Sequence, residues 1–240
     1  MKRILSTLLL LTLTTTALFA QQTPPTNPAI VPAHRLGLNW WKVRLAEKEA
    51  QAKQQHDTVL IGDSITHNWD VVAPDLQTHY FGKPLNLGFS GDRTQEVLWR
   101  IHRIDWSVVA PKRIMLMIGT NNTGHNIHAK PEDTFAGIQA IVTTLQEKCP
   151  QATITVLSIF PRGQNGSDPK RRVNAIINQS IPTLANGSTV RHVDISACYL
   201  AEDGHTLRRD LLPDLLHPNK EGHRLWGEAV VKEFMGTPAE

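Results

Sequence analysis

Apolar residues cluster in short runs along the chain, and the runs alternate with longer stretches in which apolar positions recur every three or four residues. Thr58–Ile61, Leu85–Leu87, Lys112–Ile118, Thr153–Ile159 and Thr189–Ile195 have the length and content of strands. Arg113-Ile-Met-Leu-Met-Ile118 shows no polar alternation after its first residue, the pattern of a parallel strand buried on both faces. Between the runs, helical spacing predicts helices over Asn39–Gln55, Trp69–His79, Gln95–Ile104, Pro131–Lys148, Lys170–Ala185 and Asn219–Met235, the fifth disturbed at Pro182. Pro131, Glu132 and Asp133 suit the first turn of a helix, where a missing N–H costs nothing and acidic charge meets the positive end of the dipole. In the first helix Trp40, Val43, Leu45 and Ala46 are the expected apolar face, and Trp41 is either a ligand-stacking residue or a second docking residue. Strand and helix alternating in this way give a parallel sheet with helices on both faces, all strand C-termini opening on one rim.

The N-terminus follows a different pattern. Met1–Ala20 runs from Lys2-Arg3 through Ile4-Leu5 and Leu8–Leu11 to a Thr-rich stretch ending Ala17-Leu18-Phe19-Ala20. This is the order of a secretory signal, expected to be cut near Ala20. It is short for a membrane span of about 20 apolar residues and is interrupted by threonines. No cysteine near the expected cut offers a lipoprotein anchor. Residues 21–37, with Pro24, Pro25, Pro28 and Pro32, read as a linker, and residues 38–236 as one domain. The protein is therefore expected to be secreted or periplasmic, without a stable membrane anchor.

Composition narrows the function further. Apolar content of 40% and charged content of 20% are those of a globular chain. Removing Lys2 and Arg3 with the leader takes the formal net charge from +3 to +1, and no basic run remains, so nucleic acid is not an expected partner. The two cysteines, Cys149 and Cys198, are too few for a disulfide framework or a zinc site. They are expected at opposite ends of the sheet and therefore unpaired. No cofactor or metal is expected.

The loops at the predicted rim carry the candidate chemistry. Gly62-Asp63-Ser64 follows the first strand, Gly88-Phe89-Ser90-Gly91-Asp92 the second, and Gly119-Thr120-Asn121-Asn122 the third. Asp214-Leu215-Leu216-His217 stands before the last helix. Ester hydrolysis by serine needs a nucleophile, a base, a group that orients the base, and donors for the oxyanion. Ser64, His217 and Asp214 can fill the first three roles. The backbone N–H groups of Ser64 and Gly91, with the Asn121 amide, can fill the last. Taken singly, each loop also reads as turn or cap chemistry, and Asp-x-x-His recurs by accident in a chain with 11 histidines. The inference is joint: each loop offers a part the others lack.

These blocks, in this order, resemble the SGNH (GDSL) hydrolase superfamily. Leu85-Asn86-Leu87-Gly88, Gly91-Asp92-Arg93-Thr94-Gln95-Glu96-Val97-Leu98-Trp99-Arg100, Gly119-Thr120-Asn121-Asn122 and Pro161-Arg162-Gly163-Gln164 are similar to the catalytic subunits of the intracellular platelet-activating-factor acetylhydrolases. The resemblance covers roughly Thr58 to Phe234. It implies a three-layer α/β/α flavodoxin-like fold with a five-stranded parallel sheet, and a metal-free serine esterase with the roles given above. Asn122 stands where the wider superfamily usually has Asp, which marks the acetylhydrolase-like branch. The expected activity is hydrolysis of short acyl esters, acetyl above all, on carbohydrate. The alternatives are a lysophospholipase or platelet-activating-factor-like lipid acylhydrolase, and a binding module that retains the fold. A nucleotide-binding flavodoxin-like protein is disfavoured, because the first loop carries Asp63 in place of a Gly-rich phosphate cradle. Trp69 is either a platform for a sugar ring or a core residue.

Overall fold

The computed structural model describes residues 27–125 and 130–235. The expected signal segment therefore lies outside the described residues. Chain order is α1 (Asn39–Gln51), β1 (Thr58–Gly62), α2 (Ser64–Val71), α3 (Pro74–Phe81), β2 (Leu85–Gly88), α4 (Thr94–Ile101), α5 (Trp106–Val109) and β3 (Arg113–Met117), then α6 (Thr120–His125), α7 (Pro131–Lys148), β4 (Thr153–Leu157), α8 (Pro169–Ser180), β5 (Val190–Val193) and α9 (Lys220–Met235). All strand pairings are parallel, in the order β2-β1-β3-β4-β5. This is the flavodoxin-like doubly wound order, which reverses direction between β1 and β3. The expected three-layer α/β/α fold with five parallel strands is the fold observed.

Alternation within the strands divides the core between two layers. Val59, Ile61, Ile114, Leu116, Ile154 and Val156 face a layer with Val97 and Ile101 of α4 and Ile138, Ile141 and Leu145 of α7. Leu60, Met115, Met117 and Leu157 face the other, with Ile65 and Trp69 of α2, Phe81 of α3, and Trp226, Val230 and Phe234 of α9. Trp69 is fully buried against Phe81, His223 and Trp226, so it is core and offers no face to a sugar.

Several boundaries differ from the sequence reading, each for a local reason. The single helix expected over Trp69–His79 is two. Asp63 caps a helix that starts at Ser64, accepting the Ile65 N–H at 3.0 Å. Pro74 then opens a second helix, and the residue before a proline is held out of the helical region, as Ala73 is at φ −142°, ψ 47°. The helix over Lys170–Ala185 ends at Ser180 and tightens into a 3-10 turn, Ile181–Leu184, around Pro182. In α1 the buried face is Trp41, Arg44, Leu45 and Lys48, while Trp40 and Val43 face solvent. Arg44 and Lys48 are buried because Asp70 of α2 pairs with both, at 2.9 and 3.0 Å.

The end of the expected linker is anchored on the domain. Pro28–Ile30 form a 3-10 turn with Ala29 buried. The Thr94 hydroxyl donates to the Ala29 carbonyl at 2.8 Å, the Asn27 amide to the Asp133 carbonyl at 3.1 Å, and the Ala33 N–H to the Gln95 carbonyl at 3.1 Å. Residues 27–38 thus form an arm laid over α4 and α7.

Candidate active site

Ser64 stands at the C-terminal end of β1, beside the reversal of strand order where open α/β sheets receive ligands. It is the first residue of α2, so its N–H belongs to the set a helix cannot use internally. The Ser64 Oγ lies 2.8 Å from His217 Nε2, and His217 Nδ1 lies 2.6 Å from Asp214 Oδ2. A tight turn makes this second contact. Asp214 Oδ1 accepts the N–H groups of Leu216 at 3.0 Å and His217 at 2.8 Å, which frees Oδ2 for the ring. Leu215 takes φ +63° to close the turn, a left-handed conformation that costs a leucine about 1 kcal/mol or more. Desolvation works to raise the Asp214 carboxyl, but hydrogen bonds from the His217 ring and backbone outweigh it and hold the group below its ordinary range.

The other rim loops converge on the same place. Ser64, Asn68, Ser90, Gly91, Asn121, Asp214, Leu216 and His217 line one open cleft of about 550 Å³. All five residues singled out in the sequence are therefore in it. The Asn121 amide donates to the Asp92 carbonyl at 3.0 Å, which fixes its plane and leaves its second N–H for the cleft. Asn122 points away: its Oδ1 accepts the Thr94 N–H at 3.1 Å and its amide donates to the Thr94 hydroxyl at 3.0 Å, capping α4. Among the described residues no cluster of three or more His, Cys, Asp or Glu side chains could hold a metal.

Behind the cleft is a buried layer that the sequence reading missed as functional. Asp92, wholly buried, accepts Trp41 Nε1 at 2.8 Å and Arg100 Nε at 2.8 Å. Arg100 also donates to the Leu87 carbonyl at 3.0 Å and, at 3.4 Å, to that of Gly62. One guanidinium thus ties together the ends of β1 and β2 and the loop carrying Gly91. The signal lay in the run Gly91–Arg100, where Asp92, Thr94, Glu96 and Arg100 are charged or polar yet buried. Trp41 is part of this layer and is not a stacking surface. Asn68, Ser90 and Leu216 carried no distinguishing sequence signal.

Residues 60–225 match the model of the GDSL-like lipase/acylhydrolase family. The chain belongs to that family. The acylhydrolase is 38% identical over 201 residues to the rat platelet-activating factor acetylhydrolase IB subunit alpha2, covering 78% of this chain and 81% of the relative. It is 29% identical over 210 residues to the human alpha1 subunit, covering 85% and 86%. Similar solved structures include a putative acylhydrolase from Bacteroides fragilis, with TM-score 0.67 and 20% identity over 80% of this chain and 94% of that one. Another is the acetylxylan esterase Axe2 from Geobacillus stearothermophilus, with TM-score 0.58 and 19% identity over 76% and 95%. At these identities the structures speak for the fold alone. The acylhydrolase is an ester hydrolase of this family.

Proposed function

We propose that the acylhydrolase is an exported serine esterase that removes short acyl groups, chiefly acetyl, from carbohydrate. The observation that carries the mechanism is the chain of contacts Ser64 Oγ–His217 Nε2–His217 Nδ1–Asp214 Oδ2 at 2.8 and 2.6 Å, with Gly91 and Asn121 on the same cleft. His217 takes the Ser64 proton as Oγ attacks the ester carbonyl, and Asp214 keeps the ring in the tautomer that can accept it. The negative charge on the carbonyl oxygen is met by the N–H groups of Ser64 and Gly91 and by the Asn121 amide. The alcohol leaves with the proton from His217. Water then repeats the sequence on the acyl-serine and releases the acid.

The lining of the cleft and the names of two similar proteins support this substrate class. The names of the rat relative and of Axe2 share the acetyl group and differ in what carries it. Among the described residues Leu216 is the only aliphatic side chain lining the cleft. A fatty chain gains about 0.8 kcal/mol per methylene only where apolar surface covers it. An open cleft lined mostly by polar residue types leaves a long acyl chain uncovered and suits a hydroxyl-rich acceptor. Export rests on the sequence of residues 1–20. A second reading, a platelet-activating-factor-like lipid acylhydrolase, is favoured by the 38% identity to the rat subunit.

Measurement of kcat/KM across p-nitrophenyl esters from acetyl to palmitoyl, with acetate release from acetylated xylo-oligosaccharides, separates the two. Acetyl and propionyl esters should be cleaved fastest, with efficiency falling beyond butyryl. A maximum at octanoyl or longer would overturn the carbohydrate reading.

A further inference from the structure

The loop after β2 makes a turn whose central peptide can face either way. The Asp92 N–H donates to the Phe89 carbonyl at 3.1 Å, closing Phe89-Ser90-Gly91-Asp92. Gly91 has φ +75° and Ser90 is not among the residues with positive φ, which makes this a type II turn with glycine in its third position. Types I and II differ by a flip of the peptide between the two central residues. Here that peptide joins Ser90 to Gly91, and its N–H is one of the three oxyanion donors in the reading above. In a trans peptide the C=O and N–H point in opposite directions, so whatever holds the Ser90 oxygen also aims the Gly91 hydrogen. Among the described residues the Gly91 N–H has no protein acceptor.

Arg35 holds that oxygen. Its Nη1 donates to the Ser90 carbonyl at 2.8 Å and lies 3.5 Å from Asp92 Oδ1. A Cβ on Gly91 would stand 2.8 Å from the same nitrogen, so the guanidinium is seated directly on the turn. The Ser90 side chain is held separately by His67 Nδ1 at 2.9 Å. Arg35 belongs to the N-terminal arm, upstream of residue 60, where the family match begins.

We propose that Arg35 is a positioning residue that locks the Ser90–Gly91 peptide with its N–H toward the reacting carbonyl, so that the arm completes the oxyanion hole from outside the hydrolase core. The proposal rests on the roles assigned above to Ser64, Gly91 and Asn121. A cation on the carbonyl end also polarises the amide and strengthens its N–H as a donor. Without Arg35 the turn can relax toward type I, presenting the Ser90 oxygen where the N–H is needed.

Steady-state kinetics on p-nitrophenyl acetate, with melting temperatures, test this on the full-length protein. Arg35→Ala should lower kcat by roughly ten- to a hundred-fold, less than the loss of an entire donor, with KM within about twofold. Arg35→Lys should recover much of the loss, and added ethylguanidine should raise the kcat of Arg35→Ala. Asn27→Ala, which loosens the arm far from the turn, should leave kcat unchanged and gain nothing from ethylguanidine. An Arg35→Ala enzyme with wild-type kcat overturns the proposal. So does a loss of activity that follows melting temperature equally in Arg35→Ala and Asn27→Ala. Ser64→Ala separates the levels: a dead Ser64→Ala beside a fully active Arg35→Ala removes this inference alone, whereas an active Ser64→Ala removes the site reading and the inference with it.

Discussion

Asn121 and Asn122 carry the same side chain one residue apart, and α6 turns them in different directions. Asn121 lines the cleft with its amide braced on Asp92, while Asn122 caps α4 through both atoms of Thr94. Their substitutions should therefore fail in different ways. Asn121→Ala should lower kcat by roughly a hundred- to a thousand-fold, the usual cost of an oxyanion donor, with little change in melting temperature. Asn122→Ala leaves the buried Thr94 N–H without its acceptor and should destabilise the fold by about 1–2 kcal/mol, while the folded enzyme keeps most of its turnover. Parallel urea titrations and kinetics on the two variants check this; similar profiles for both would contradict the assignment. Ser64→Ala should abolish turnover without loss of stability, and His217→Ala should cost nearly as much, because such groups act as a unit. The pair Asn121-Asn122 was legible in the sequence as chemistry. Which of the two served the cleft depended on where α4 lies, which local pattern does not encode.

At the level of elements, α2 joins the sheet to the site and carries two unusual titrating groups at its N-terminal end. Burial pushes the Asp63 carboxyl up to about 7, and its Oδ2 has no hydrogen-bond partner. Burial, with Arg44 nearby, pushes His67 down to about 4. Their effects on stability have opposite sign. Between pH 3.8 and about 7 the native protein keeps a proton on Asp63 that the unfolded chain releases, so this contribution is lost as pH rises. Between pH 6.5 and about 4 the unfolded chain protonates His67 while the native protein resists, so that contribution is lost as pH falls. In the shared window the two nearly cancel, and removing either one uncovers the other. Relative to wild type, Asp63→Asn should gain stability as pH rises from 4.5 to 6.5, by up to about 1.4 kcal/mol per unit. His67→Gln should show the reverse slope, reduced because the imidazole is only half-buried. Urea unfolding at several pH values measures both, and equal slopes in the two variants would refute the pairing. The same element shows where pattern reading stops. Arg44 and Lys48 fall outside the apolar face expected of α1, yet they are buried because their counter-charge, Asp70, is supplied by α2. A helix face is set by partners remote in sequence as well as by its own periodicity. Pro74, by contrast, acts locally, and the break it makes between α2 and α3 was available from the sequence alone.

Across the whole molecule, the sheet separates the end that carries the proposed site from the opposite end, and the two cysteines mark them. Strand content and alternation were enough to predict this polarity, because buried parallel strands are nearly continuous apolar runs and their crossovers have one hand. What alternation could not supply was the placement of residues 27–38, whose proline-rich sequence reads as linker but whose backbone groups find partners on α4 and α7. Cys149 ends α7, just before β4 begins, whereas Cys198 follows β5 at the opposite end of the strands. Both thiols are free. A strand of five or six residues is about 17–20 Å long, far beyond the reach of a disulfide, so an oxidising destination should not join them within one chain. Burial pushes the Cys149 thiol up to about 11 and also raises that of Cys198, so neither is poised as a thiolate near neutral pH. Treated with a thiol reagent without prior reduction, the native protein should react slowly, the half-buried Cys198 before the buried Cys149. After denaturation both should titrate at once. A denatured, unreduced monomer with no titratable thiol would mean that the two ends of the sheet come together in a way this arrangement of strands forbids.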